Sequence, residues 1–312
     1  MKIKTKDLLI HSALFIASFF TISLAGVQWL NIDFTQLYNF QFGIPYSLSI
    51  LFILATHEFG HYFAALYHKV KSSLPYFLPF PIIPGFLNFG TLGAVIKTKS
   101  PIPNSKALFD IGVYGPIAGF FASIIILIIG FTNLPNEKFI LQIHPNYFSS
   151  TQTEGVSFSF GTSIIFEAIK FIFADSSSHF IPPMSEIYHY PFLCAGWFGL
   201  FITMMNLVPI GQLDGGHIIF AMFPKFQFTI AKIFLAILIF LGLIDFFPIL
   251  SSFNINGWNG WLFWSAILFF FIKLKHPPID EIVELDSNRK LIGYFAILIF
   301  ILSFIASPFP IY

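Results

Sequence analysis

His57, Glu58 and His61 fall within one short run, His57-Glu58-Phe59-Gly60-His61. On an α-helix, histidines four positions apart share a face, so both imidazoles reach one metal ion. Glu58 follows about 100° further round the axis, where a carboxylate reaches a water on the metal without ligating it. Zinc held by three protein ligands keeps a fourth position open and lowers the pKa of a water there to about 7. Glu58 would then take the water proton and pass it to a leaving amine. The competing account has both histidines bonded to neighbouring backbone, and it leaves the Glu58 carboxylate in need of its own buried partner.

A third ligand is expected far away in the chain. Asn206-Leu207-Val208-Pro209-Ile210-Gly211-Gln212-Leu213-Asp214-Gly215-Gly216-His217 offers one. Pro209 and Gly211 interrupt a helix there, and Gly215 and Gly216 let the backbone turn sharply. Asp214, a lone carboxylate beside a broken apolar helix, stands where a metal ligand would. It also stands where it would cap a short helix beginning near Gly215. His217 can approach the same metal. His276, beside two prolines, reads as a structural or contact residue, and His11, His68, His144, His179 and His189 have no spacing that suggests a site.

The elements that must carry these residues are membrane helices. Only 10% of residues are charged and 56% are apolar, against about 25% charged in a soluble domain. A net charge of +1 gives no electrostatic footprint for nucleic acid. The one cysteine, Cys194, excludes an intramolecular disulfide. Seven stretches approach the 20 or so apolar residues that span a bilayer: 8–28, 45–67, 107–131, 190–209, 229–249, 258–273 and 291–307. Ionisable groups inside such a span point to function. Between the second and third spans, Leu74 to Lys97 is apolar but broken by Pro75, Pro79, Pro81, Pro84, Gly85, Gly90 and Gly93. It is expected to form a re-entrant loop and a short strand, Phe89 to Lys97. The fold class is therefore a polytopic α-helical membrane protein with a loop and strand beside the site.

Lys2, Lys4, Lys6, Lys69, Lys71, Lys97, Lys99, Lys106, Lys225, Lys232, Lys273, Lys275, Arg289 and Lys290 all fall on one side if every span crosses. That side is read as the cytoplasm, here of a bacterial inner membrane, with the amino terminus on it. Ser23-Leu24-Ala25-Gly26 also suits a signal-peptide cleavage site, although the apolar run is long for one. The organisation expected is a first helix and outer loop (1–44), a core (45–131), an outer insert (132–189), a second core piece (190–224) and C-terminal helices (225–312). Within the insert, Ile164, Ile165, Ala168, Ile169 and Phe173 recur at helical spacing, as in a helix lying on the membrane.

His-Glu-x-Gly-His in one span, with Asn-x-x-Pro-x-x-x-Leu-Asp-Gly-Gly in a later one, resembles the site-2 protease family of intramembrane metalloproteases. Gly90-Thr91-Leu92-Gly93-Ala94-Val95 resembles that family's substrate-pairing strand, and Gly115-Pro116-Ile117-Ala118-Gly119 its Gly-Pro-x-Ala-Gly helix. Ser73-Leu74-Pro75-Tyr76-Phe77, Leu108-Phe109-Asp110-Ile111-Gly112, Pro209–Asp214 and His276-Pro277-Pro278 are similar to a bacterial subgroup without a PDZ domain. The resemblance runs from about residue 45 to the end of the chain. It implies one Zn²⁺ on His57, His61 and Asp214, with Glu58 as acid and base. It places Asn206 near the reacting carbonyl, where an interhelical bond or helix C-cap is the other reading. It also implies substrate contact at Gly90 to Ala94, and gating or close packing at Gly115, Pro116 and Gly119. Transmembrane proteins in the bilayer are the implied substrates.

Two other classes share parts of this pattern. A metal-ion transporter would also bury His57, His61 and Asp214, but has no need of Glu58 beside a ligand. A prenyl-protein type protease would need a downstream Glu ligand, for which only the polar run Asp280-Glu281-Ile282-Val283-Glu284 is available.

Overall fold

A computed structural model describes residues 5–83, 88–148, 159–175, 180–247 and 257–310. Helices α1 (Thr5–Trp29) and α2 (Phe40–Tyr67) run antiparallel. Gly26 and Gly43 let their backbones touch, since a methyl on Gly43 would overlap the Ser23 carbonyl. Helix α3 (Ser105–Thr132) starts at Asn104, whose side chain caps it by accepting from the Ala107 amide. It packs against α2, α6 (Pro191–Asn206) and α7 (Asp214–Met222) and is the central post of the bundle. Helices α8 (Gln227–Leu243) and α9 (Gly260–Ile267, continued by a π turn over Leu268–Ile272) pair with each other. α10 (Ser287–Ser303) closes against α3 and α6.

Four helical segments are long and apolar enough to cross a membrane: Thr5–Trp29, Leu37–Tyr67, Ser105–Thr132 and Gln227–Phe246. They carry large apolar side chains outward, among them Phe20, Phe52, Phe121 and Phe240. Of the seven spans expected, four are helices of that length among the described residues. α6 has 16 residues, α10 has 17, and the α9 segment ends at Ile272, a residue before Lys273 takes positive φ. For α6 the reason is chemical. Pro209 has no amide hydrogen and Gly211 sits at φ 55°, so the chain turns into α7 instead of continuing.

The proline-rich segment, where a re-entrant loop leading into a short strand is expected, contains two paired strands. β1 (Tyr76–Pro79) pairs antiparallel with β2 (Thr91–Val95), with Phe77 opposite Ala94 and an irregularity before the Pro79–Thr91 pair. The second strand is shorter than the expected 89–97, and residues 84–87, between the two strands, lie outside the described residues.

At one end of the bundle, α4 (Lys138–Ile143) and α5 (Ile164–Phe173) cover the core. α5 buries Phe166 and Ile169 and leaves Ile164, Phe171 and Ile172 exposed, an apolar outer face suited to lipid. Near the other end, Asp110 on α3 is buried and fully paired. Arg289 of α10 donates to it from Nε (2.9 Å) and Nη2 (2.6 Å), and His68 Nε2 lies 2.6 Å from the same carboxylate. The cluster locks three segments in register, because removing Arg289 would strand the buried Asp110 carboxylate.

Candidate active site

The later half of α2 presents His57 and His61 one turn apart, and their Nε2 atoms are 3.0 Å from each other. Asp214, the first residue of α7, brings Oδ2 to 3.5 Å from His57 Nε2 and 3.3 Å from His61 Nε2. Ligand atoms set 2.0–2.1 Å from a tetrahedral zinc stand roughly 3.3 Å apart. The triangle of two nitrogens and one oxygen is close to that size, so the donors present fit the ion. A carboxyl oxygen of Glu58 also lies within 4.8 Å of both ring nitrogens. Two carboxylates therefore flank the imidazoles. Asp214 is the nearer, and Glu58 comes from off the shared helix face.

The surroundings fix the rings. His61 Nδ1 donates to the Ile111 carbonyl at 2.5 Å, which leaves Nε2 bare and directed at the cluster. Gly115 and Gly119 of α3 make room for the rings. A methyl on Gly115 would overlap His61, and one on Gly119 would stand 3.0 Å from His57 Nδ1. Pro116 lies between them, yet α3 runs unbroken from Ser105 to Thr132. Gly60 lets α2 close on the α3 backbone, since a Cβ there would stand 2.5 Å from the Tyr114 carbonyl.

Asn206, the last residue of α6, extends Nδ2 to 3.3 Å from His57 Nε2. Asp214 begins α7 without capping it, for no side chain closes that helix start. Gly215 and Gly216 do not make a sharp turn, as the sequence suggested. They lie in the first turn of α7, and their missing side chains let it press on Leu207 and Ile210 carbonyls. The turn itself is made at Gly211.

A cleft of about 500 Å³ opens on this cluster, with Ala94, Val95 and Ile96 of the hairpin on one side and Gln212 and Leu213 on another. The five residues expected to meet substrate divide here. Gly90 is pressed on α1, where Thr21 donates to its carbonyl at 2.6 Å, and Thr91 holds the hairpin by donating to the Leu78 carbonyl at 2.8 Å. Leu92 is 67% exposed, and nothing lies within 4 Å of where a Gly93 side chain would be. Ala94 faces the cleft.

His217 is paired with a second histidine. Its Nδ1 is 2.7 Å from His276 Nε2, while His276 Nδ1 donates to the Pro277 carbonyl at 2.6 Å. Both histidines line the cleft. Fifty-nine residues separate them, so no spacing in the sequence announces the pair. Nor does any motif announce the Asp110–Arg289 clamp.

These are the features of a metallopeptidase centre, and comparison with known proteins places the chain among such enzymes. The model for peptidase family M50 matches residues 45–244, which contain His57, His61 and Asp214; the chain belongs to that family. It is 27% identical over 301 residues to "Probable zinc metalloprotease EGY2, chloroplastic" of Oryza sativa subsp. indica, covering 95% of this chain and 49% of that protein. It is 30% identical over 195 residues to "Probable zinc metalloprotease EGY1, chloroplastic" of Arabidopsis thaliana, covering 62% of this chain and 32% of that one. The chain spans about half the length of the EGY2 relatives it matches from end to end. No solved structure matches.

Proposed function

We propose that the chain is a zinc-dependent endopeptidase that hydrolyses peptide bonds of transmembrane proteins within or beside the bilayer. The observation that carries this reading is the convergence of His57, His61 and Asp214 on a zinc-sized triangle with Glu58 alongside. His57 Nε2, His61 Nε2 and Asp214 Oδ2 would hold one zinc ion. When bound, it supplies Lewis acidity toward a water and the scissile carbonyl.

The chain's own residues do the rest. Glu58 takes a proton from the attacking water on a carboxyl oxygen and returns it to the leaving nitrogen. Asn206 turns Nδ2 from His57 toward the carbonyl oxygen as negative charge builds there. Ile111 keeps the proton of His61 on Nδ1. Leu92, Gly93 and Ala94, on the open side of β2, receive the substrate as an extended strand. This pairing matters because a helix hides its peptide groups, and opening one in lipid leaves donors and acceptors unsatisfied. Cleavage is therefore expected near helix-weakening Gly, Pro, Asn or Ser residues of the substrate span. Gly115 and Gly119 act by close packing against the ligand rings.

We place the site toward the membrane face that bears the basic loops, because His57 and His61 lie late in α2 and Lys69, Lys71, Lys97, Lys99 and Lys106 follow it. In a bacterial cell that face is the cytoplasmic one. The shorter α6, α9 and α10 complete a seven-crossing core of the type without a PDZ domain. Transport of a metal ion is less well supported, since it gives Glu58 no task.

The test is reconstitution of the purified chain with a single-span substrate protein in liposomes. A chelator should abolish cleavage and added zinc should restore it. Cleavage that persists in metal-free protein would reject the reading.

A further inference from the structure

Three histidine and carboxylate side chains meet at the opposite end of the bundle. His144 follows α4, and Glu186 and His189 lie just before α6. His144 Nε2 stands 3.1 Å from His189 Nε2, and Glu186 Oε2 stands 3.5 Å and 3.7 Å from them. We propose that His144, Glu186 and His189 form a second zinc site, which fastens the 132–189 insert to the bundle. It goes beyond the protease reading and does not depend on it.

The geometry is that of a ligand set. The three edges bracket the roughly 3.3 Å that separates ligand atoms around tetrahedral zinc, and two imidazoles with one carboxylate are a donor set zinc takes. His189 is oriented from behind, because its Nδ1 donates to the Trp29 carbonyl at 2.6 Å. That bond leaves Nε2 unprotonated and pointing at the cluster, as an outer partner does for a ligating histidine. Trp29 is the last residue of α1, so the site joins the end of α1, the end of α4 and the entry to α6.

Ordinary hydrogen bonding does not account for all three groups. A proton on His144 Nε2 can be shared with His189 Nε2, which satisfies the two rings. Glu186 Oε2 is then left over, buried and without a hydrogen-bond partner. An unsatisfied buried carboxylate oxygen is expensive. One cation satisfies the oxygen and both nitrogens together. The His144 side chain is 39% exposed, which gives the ion an entry path and leaves room for a water as fourth ligand.

Metal content decides the matter. Full-length protein purified in detergent is loaded with zinc, freed of unbound ion and assayed by mass spectrometry, beside His144→Ala and Glu186→Gln. The wild type should hold two equivalents, and each variant one fewer than the wild type. Each variant should also lose a zinc-dependent rise in Tm that Asp214→Asn retains. If the wild type holds one zinc and His144→Ala none, this site stands and the ligand assignment at His57, His61 and Asp214 fails. Equal zinc content in the wild type and both variants, whatever its value, would overturn the second site.

Discussion

Two triangles of nearly equal size sit at the two ends of α6, with edges of 3.0, 3.3 and 3.5 Å at one and 3.1, 3.5 and 3.7 Å at the other. Their construction differs. The first takes two histidines from one turn of a long helix and seats them against glycines of a second helix. A carboxylate beside it is left over for chemistry, and a cleft opens on it. The second takes its groups from a loop and a short 3-10 turn, and its carboxylate has no function but to complete the set. Similar donors thus become a reaction centre or a fastening according to what lies beside them. In the proposed mechanism, a spare general base and an open wall for an extended peptide make the first a site of catalysis.

The largest expected effect comes from Asp214→Asn, which keeps volume but removes the charge opposing zinc. Zinc affinity at the first triangle should fall by more than the roughly 10–100-fold typical of losing an outer partner, and proteolysis should fall with it. The second triangle should be untouched. Equilibrium dialysis against buffered zinc measures both.

Gly115→Ala asks whether the glycine cradle matters. The added methyl overlaps the His61 ring, so the ring must shift off the triangle. A drop of roughly 10–100-fold in zinc affinity is expected, with activity reduced in parallel and restored in part at saturating zinc. Unchanged zinc binding would show that the seat is loose and that the comparison rests on ligands alone.

Leu92→Pro probes the open wall and should give the smallest change. Leu92 is exposed and stands outside the matched pairs of the hairpin. Loss of one main-chain bond to substrate is worth about 1 kcal/mol, so cleavage should slow by roughly fivefold with zinc content intact. Wild-type rates in steady-state assays would remove β2 from substrate presentation.

The same contrast explains what the sequence made legible. His57, Glu58 and His61 were readable because a helix turns a four-residue spacing into a shared face, and Asp214 because a carboxylate rarely stands beside a broken apolar helix. His144, Glu186 and His189 were not, since two of them sit 42 or more residues from the third and no periodic element links them. The break after α6 was legible as well, because Pro209 and Gly211 cannot continue a helix, and α7 begins at Asp214, one residue from the start the glycines suggested. Pairing of Tyr76–Pro79 with Thr91–Val95 was also hidden, because prolines that forbid a helix do not say which strand will be the partner. The close approach of Gly115 to His61 depends on how α2 and α3 are packed, and composition carries no trace of that.

The central claim is that Glu58 moves the proton in a zinc-dependent hydrolysis and is not itself a ligand. Its direct measurement is single-turnover cleavage of a liposome-embedded substrate by wild type and Glu58→Gln, with zinc counted in the same preparations. The account predicts a fall of about 10²–10⁴-fold in rate with zinc at the first triangle fully retained. Cleavage at the wild-type rate, or loss of that zinc along with activity, would contradict it.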